Sequence, residues 1–349
     1  MASVGGLRLT LTSNTLQVGG AERQRVLLAN GLAARGHRVT FVVLQAAGPL
    51  AADHAPGERL DKARASFGRL PAPADVVITG CTNTEVAYAW TARLRSPGRL
   101  RWVAVSHSWP PDEGHLYRGP LRVALRRADA LGALTPGHAA RLRAADGLVA
   151  SPHTVPNGTD LRASLRPRPD GPVRVGCVGR LEAVKGVDRL IRAMAELPPG
   201  GWSLDVYGDG SERAALERLA AELAVEVTWH GWTSDIPAAL SRLDVLVIPS
   251  RSEALPMVAL EAMASGVAVA AAPVGAMPEL LAGTGLLLDA DPARWPEQLH
   301  TLIQDRVEQD RLATAGHGLV EERWGLETML DGYESLLSSV VRGENTVGT

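Results

Sequence analysis

The sequence predicts an α/β protein built from two doubly wound domains, each a parallel sheet covered by helices on both faces. Three observations carry this expectation. Short, nearly continuous apolar runs alternate with helical patterns from end to end, as strands buried on both faces of a parallel sheet do. The alternation runs twice, on either side of a proline-rich break. The chain has 349 residues, 46% of them apolar, whereas single cores stop growing near ~250–300 residues.

In the first half the expected strands are Leu7 to Thr12, Arg38 to Leu44, Asp75 to Thr79, Trp102 to Ser106 and Ala130 to Leu134, with helices such as Gly20 to Arg35 and Thr84 to Leu94 between them. The second half repeats the rhythm at Val173 to Val178, Ser203 to Tyr207, Val225 to His230, Asp244 to Ile248 and Val267 to Ala271. Leu161 to Pro172 holds three prolines and a glycine without apolar periodicity and reads as the linker. The domains expected are therefore 1–160 and 173–325. Trp324 to Val341 has apolar residues at helical spacing, so 326–349 is expected to carry a helix that packs back on the first domain. Ligands of doubly wound sheets bind beyond the carboxyl ends of the strands, and two such domains facing each other predict a cleft that holds the chemistry.

Bulk properties exclude several classes. A net charge of -2 lacks the basic excess of a nucleic-acid binder. Cys81 and Cys177 each lie in an apolar run and read as buried reduced thiols, neither a disulfide framework nor a zinc site. Met1 to Gly6 lacks the basic start and apolar core of a signal peptide. The longest apolar candidate for a membrane span, Ala262 to Met277, is broken by Gly266, Pro273 and Gly275, so it reads as helix end, strand and turn. The expected compartment is the cytoplasm.

Three constellations carry chemistry. Gly19 and Gly20 follow the first strand and open the first long helix. They are either a tight turn or a point where a phosphate approaches the backbone, and they do not match the dinucleotide fingerprint G-x-G-x-x-G. Arg180 and Lys185 lie on the loop leaving Val173 to Val178. Arg180 offers a planar fork to phosphate oxygens and Lys185 a compact charge near a helix start; the bland alternative is a pair of solvated cations. The third constellation runs from Ser250 to Gly266. Pro256 suits the first helical position, which sets Glu253 just before the helix and Glu261 in its second turn. The N–H groups of Leu255, Met257 and Val258 are then free for an anion or for sugar hydroxyls. Glu261, in an otherwise apolar stretch, needs a polar partner such as the paired hydroxyls of a ribose, unless it lies on the helix's wet side.

These motifs together resemble the retaining GT-B glycosyltransferases of family 4, glycosyl transferases group 1. Glu253 and Glu261 match the family's glutamate pair with seven residues between, Arg180 and Lys185 its diphosphate-binding cations, and Val155 to Asp160 the stretch that closes its first domain. The resemblance covers nearly the whole chain and implies a GT-B fold: an N-terminal acceptor-side domain and a C-terminal nucleotide-sugar domain. It implies that Arg180 and Lys185 neutralise the leaving diphosphate, that Glu261 holds the ribose, and that Glu253 with the N–H groups after it faces the transferred sugar. Gly20 would admit the diphosphate or the acceptor. His107, after a first-domain strand, matches the cleft histidine that contacts the donor sugar; structural histidines are the commoner alternative.

The expected activity is transfer of a hexose or N-acetylhexosamine from a nucleotide-diphosphate sugar, UDP favoured, with retention and with neither metal nor cofactor. The acceptor is a small molecule or a glycan, with a small secondary-metabolite acceptor preferred to an envelope glycan or glycolipid. Gln45 to Ala74 is short for an acceptor-side wall. Arg118 to Arg127 carries four arginines on an amphipathic pattern, which reads as a solvated helix face or, less simply, as a weak contact with an anionic membrane. A nucleotide-sugar epimerase, a non-catalytic GT-B partner subunit and a nicotinamide oxidoreductase are the competing readings.

Overall fold

The computed structural model describes residues 6–17, 19–46, 48–53, 59–62, 73–96, 100–110, 117–146, 152–159 and 171–343. Most of the expected linker therefore lies outside the described residues. The chain divides into a first unit, 1–158 with 326–349, and a second unit, 159–325.

In the first unit β1 (Arg8–Thr15), α1 (Gly20–Ala34) and β2 (Arg38–Ala46) lead to β3 (Arg59–Lys62) and β4 (Val76–Thr79). Then come α2 (Asn83–Arg95), β5 (Arg101–Val105), α3 (Gly119–Leu125), β6 (Ala130–Ala133), α4 (Pro136–Asp146) and β7 (His153–Thr154). Seven strands pair in the order β3-β2-β1-β4-β5-β6-β7, all parallel. Val76, Val77, Trp102, Val103 and Ala104 are fully buried, which is why these runs are apolar without alternation.

The second unit repeats the winding. Its elements are β8 (Val173–Val178), α5 (Val187–Ala195), β9 (Trp202–Tyr207), α6 (Arg213–Glu222), β10 (Val227–Gly231), α7 (Ile236–Leu240), β11 (Val245–Ile248), α8 (Met257–Ala264), β12 (Ala268–Ala271), α9 (Met277–Leu280), β13 (Leu286–Leu287), α10 (Trp295–Gln304) and α11 (Arg306–Arg323). Six parallel strands pair in the order β10-β9-β8-β11-β12-β13. The core lies along β8, β9, β11 and β12, with Val175, Val206, Val245, Val247 and Ala270 fully buried. A final helix, α12 (Leu326–Arg342), belongs to the first unit. Arg35 at the end of α1 bonds Asp331 at 2.7 Å and Glu334 at 2.8 Å. Gly31 leaves the room that Leu330 occupies, since a Cβ there would meet its side chain at 2.6 Å.

Several expectations need correction. Pro256 is not the first helical residue: its ψ of 124° is extended and it caps α8, which starts at Met257, because proline's fixed φ serves an extended residue as well as a helical one. Val225 to His230 pairs only from Val227, and Ala224, at φ +54°, turns the chain before it. Cys81 is half-buried in the turn after β4, not inside a strand. Gln45 to Ala74, between the second and third expected strands, carries an additional strand, β3. The apolar stretch Ala262 to Met277 is, as expected, the end of α8, then β12 and a turn. Among the described residues no helix is long and apolar enough to cross a membrane.

Candidate active site

In both sheets the chain starts in the middle, winds outward one way, and returns to the centre to wind the other way. Ligand crevices form where the winding reverses, outside the carboxyl ends of the two central strands. In the second unit those strands are β8 and β11. The loops after them, Gly179 to Gly186 and Pro249 to Pro256, are the segments that carry Arg180, Lys185 and Glu253.

Tertiary contacts fix both loops. Arg251 grips Asp188 with two bonds of 2.7 Å, bonds the Ala183 carbonyl at 2.8 Å, and its own N–H reaches the Val184 carbonyl at 2.8 Å. Arg189 lies over the Trp295 ring, 4.4 Å from its centroid, and donates to the Pro249 and Ser250 carbonyls at 3.2 and 3.3 Å. Gly275, at φ +59°, packs so closely that a Cβ would overlap the Glu253 carbonyl oxygen, and the next N–H, of Ala276, donates to the Ala254 carbonyl at 2.8 Å.

Within this frame Arg180, Lys185, Glu253 and Val258 line one depression with Ser250 and Cys177, open to solvent and enclosing about 310 Å3. Lys185 Nζ donates to Glu253 Oε1 at 2.7 Å and Ser250 Oγ donates to the same oxygen at 2.8 Å. Glu253 is 11% exposed and Lys185 26%, so the pair is partly desolvated and stronger than a surface pair. An ammonium has three donors, and among the described residues only one is used. Arg180 is 60% exposed and, among the described residues, held only by Glu182 at 2.7 Å. The floor is apolar: burial pushes the Cys177 thiol up to about 12, with Glu253 adding to the rise and Lys185 opposing it.

The rest of the expected set lies around this depression or elsewhere. Leu255, Pro256 and Met257 are buried at the entry to α8. Glu261 is half-buried in its second turn. Gly19, Gly20 and His107 belong to the first unit. Gly19 caps α1 in an extended conformation with the Glu22 carboxylate folded against it, and Gly20 is exposed.

His107 follows β5 and is half-buried. Its turn is held by His138, which accepts the Leu134 N–H on Nδ1 at 3.2 Å and so carries its proton on Nε2, 2.9 Å from the Ser108 carbonyl. Burial, with Arg25 and His138 nearby, pushes the His107 imidazole down to about 3, and burial pushes His138 down to about 4. Both rings are neutral at physiological pH.

Sequence reasoning gave no role in the site to Arg189 or Gly275, nor to Ser250 and Arg251, although these two lie in the third constellation. In the first unit it did not single out the buried pair Arg25 and Glu85, 2.9 Å apart. One signal for Glu85 exists: Thr82-x-x-Glu85 has the pattern of a capping box, and the Thr82 hydroxyl does accept the Glu85 N–H. Gln24, also missed, makes two hydrogen bonds with the closing stretch, donating to the Gly158 carbonyl at 2.7 Å and accepting from the Gly158 N–H at 2.8 Å.

Comparison with known proteins adds to this geometry. The family model Glycosyltransferase Family 4 matches residues 18–163, and the model Glycosyl transferases group 1 matches residues 172–305. The chain is 30% identical over 346 residues to the lipopolysaccharide core biosynthesis glycosyltransferase LpsE of Rhizobium meliloti (strain 1021), covering 92% of this chain and 96% of that protein. It is 35% identical over 173 residues to the 2-deoxystreptamine glucosyltransferase of Streptomyces kanamyceticus, an alignment spanning 48% of this chain and 43% of that one. In structure it is similar to HepE of Anabaena, solved in complex with UDP and glucose, with a TM-score of 0.80 at 21% identity over 95% of this chain and 100% of that one.

Proposed function

The chain belongs to the group 1, family 4 glycosyltransferases and has their GT-B fold, and from that premise we propose that it transfers a hexose from a nucleotide-diphosphate sugar, UDP favoured, to a hydroxylated acceptor with retention. The observation that carries this reading is the Lys185–Glu253 pair at the β8–β11 switch point, with Arg180 beside it.

Cleavage of the bond between the anomeric carbon and the phosphate oxygen builds negative charge on the diphosphate and positive charge on the sugar ring. Lys185, aimed by Glu253, has two donors to spare for phosphate oxygens, and Arg180 is free to swing from Glu182 onto the same group. Preorganised cations in a partly dry depression stabilise such charge without reorganisation at the moment of reaction, so the reading asks for no metal. Glu253 Oε1 is engaged by Lys185 and Ser250, and in this reading its other oxygen accepts a hydrogen bond from a hydroxyl of the transferred sugar. Glu261 is the residue assigned to the ribose. In the retaining path the acceptor oxygen attacks the face the diphosphate leaves, and the acceptor proton passes to the departing phosphate oxygen.

UDP is preferred on the likeness to HepE, which was solved with it. A small polyhydroxylated acceptor is preferred on the identity to a protein described as acting on 2-deoxystreptamine. The reading is tested by following nucleoside diphosphate release from UDP-sugars and GDP-sugars, with sugar products analysed for anomeric configuration. Turnover of a UDP-hexose to an α-linked product supports it. Conversion to an epimeric nucleotide sugar, or no release from any donor, contradicts it.

A further inference from the structure

One cation beside the donor site has no part in the transfer chemistry. Arg189, on α5, stands outside the depression lined by Arg180, Lys185 and Glu253, yet its place is tightly set. Its guanidinium lies over the Trp295 ring, 4.4 Å from the centroid. That ring is fully buried at the start of α10, and its indole N–H donates to the Asp289 carbonyl at 2.7 Å. Core packing and a hydrogen bond hold the ring, and the ring holds the flat face of the guanidinium.

Arg189 grips the point where β11 leaves its sheet. The ladder to β12 ends at the Ile248 carbonyl, which accepts the Ala272 N–H at 3.0 Å. Pro249 has no N–H to extend the ladder. The Pro249 and Ser250 carbonyls instead accept from Arg189 Nη1, at 3.2 and 3.3 Å. Both members of the Lys185–Glu253 pair are built against this short stretch. Gly186, the neighbour of Lys185 in the chain, has a φ of +67° and packs so closely that a Cβ would overlap the Pro249 carbonyl oxygen. Ser250 is buried and donates Oγ to Glu253 Oε1 at 2.8 Å, the same oxygen that takes Lys185 Nζ at 2.7 Å. A shift of the Pro249–Ser250 backbone therefore moves the carboxylate and the turn behind the ammonium together.

We propose that Arg189 is a positioning residue for sugar transfer: anchored on Trp295, it holds the Pro249–Ser250 backbone and, through Ser250 and Glu253, aims the Lys185 ammonium at the leaving diphosphate. The proposal rests on the glycosyltransferase reading above and deepens it. Arg189 itself touches no reacting atom. A brace with no effect on aim would lower stability when removed and leave the folded enzyme's rate alone, whereas a positioning residue lowers the rate only while Lys185 is there to be aimed. Lysine replaces Arg189 in part, since it brings a donor for the carbonyls but no planar face for the ring.

The test uses the full chain with Arg189→Met, Arg189→Lys and Ser250→Ala, each alone and combined with Lys185→Ala. Arg174→Lys is the control: Arg174 grips the buried Asp244 at 2.8 and 3.2 Å at the opposite end of β8 and β11. Urea denaturation shows which variants are folded. Release of nucleoside diphosphate at saturating UDP-glucose gives the rate. A second readout needs no turnover. The chain has two lysines, Lys62 and Lys185, so acetylation by acetic anhydride, read by mass spectrometry, reports Lys185 against an internal reference in the first unit. In Arg189→Met and Ser250→Ala kcat is expected to fall about ten- to hundredfold, the scale of a small misplacement, with Arg189→Lys between them and wild type. In the Lys185→Ala background the same substitutions cost less than about threefold, because residues acting on one contact are not additive. Labelling of Lys185 relative to Lys62 rises about threefold as its ion pair loosens. Arg174→Lys loses stability and keeps both its rate and its labelling ratio. Rate losses that persist in full without Lys185, wild-type turnover in folded Arg189→Met and Ser250→Ala, or an unchanged labelling ratio overturns the proposal. If Arg189→Met does not fold, Arg189→Lys and Ser250→Ala carry both readouts. No release by wild type from any nucleotide sugar would instead be a failure of the glycosyltransferase reading, and the labelling ratio would still decide whether Arg189 aims Lys185.

Discussion

Replacing Lys185 by alanine separates a charge that works on the diphosphate from one that merely steadies a loop. The substitution removes one of two donors to Glu253 Oε1 and leaves Ser250 Oγ at 2.8 Å. The pair is neither a surface pair, where ~0–1 kcal/mol is typical, nor fully buried, where breaking a pair costs ~3–5 kcal/mol. Exposures of 26% and 11% place the stability loss between those limits, at about 1–2 kcal/mol. That corresponds to a fall in melting temperature of roughly 2–8 °C for a domain of this size. The rate effect is larger: removal of one preorganised donor lowers kcat by about 10²–10³. Arg180→Ala supplies the contrast, since among the described residues the Arg180 side chain pairs with Glu182 alone and is mostly exposed; it loses rate on the same scale with no measurable change in melting. The assay is release of nucleoside diphosphate at saturating donor, paired with urea denaturation. A Lys185→Ala enzyme that stays folded and turns over within about threefold of wild type would refute the reasoning, since ~10²–10³ is what the donor role requires.

Two further outcomes follow from the same geometry. Gly275→Ala puts a Cβ against the Glu253 carbonyl at a φ of +59°, a left-handed conformation costing about 1–2 kcal/mol for a residue other than glycine. It is expected to lower kcat more than ten times as strongly as Gly283→Ala, a glycine at φ +78° with nothing near its Cβ position; equal effects would show that strain alone, not displacement of Glu253, is at work. The two neutral histidines make stability pH-dependent. Folded values of about 3 for His107 and about 4 for His138 lie below the ordinary 6.5, so their contribution is complete above the unfolded value. It is lost as pH falls through that window, where the unfolded chain takes up protons that the folded chain refuses. Urea midpoints are therefore expected to fall between about pH 7 and about pH 4.5, with a shallower slope in His138→Gln; identical slopes would contradict the assignment.

The second unit was the more legible half. Val173 to Val178 reads as a strand residue for residue because, Arg174 apart, it is apolar and ends at Gly179. The rule for switch points then places Arg180, Lys185 and Glu253 together without any contact being known. What escaped were features whose signal is tertiary. Arg59–Lys62 is a short strand with charges at three of its four positions, at one end of its sheet, and Leu286–Leu287 is two residues long, so neither shows an apolar period. Pro256 satisfies the local rule for a first helical residue, yet its ψ leaves it outside α8. Glu85 looks like a solvated capping glutamate, but the helix turns it inward onto Arg25. Tyr333 lies far along the chain from the strands of the first unit, and only the return of α12 to that unit brings it beside His107. Gly275 lies outside every motif, and its role depends on how closely its loop approaches the Glu253 carbonyl.

Calorimetric titration of UDP into wild type and the double variant Arg180→Ala/Lys185→Ala tests the central claim most directly, because UDP carries the diphosphate and no sugar. Saturable one-site binding that weakens by about a hundredfold or more in the folded double variant is the expected result, at ~1.5–3 kcal/mol for each hydrogen bond to a charged group. UDP binding of equal strength in both proteins would mean that the β8–β11 depression does not hold the diphosphate.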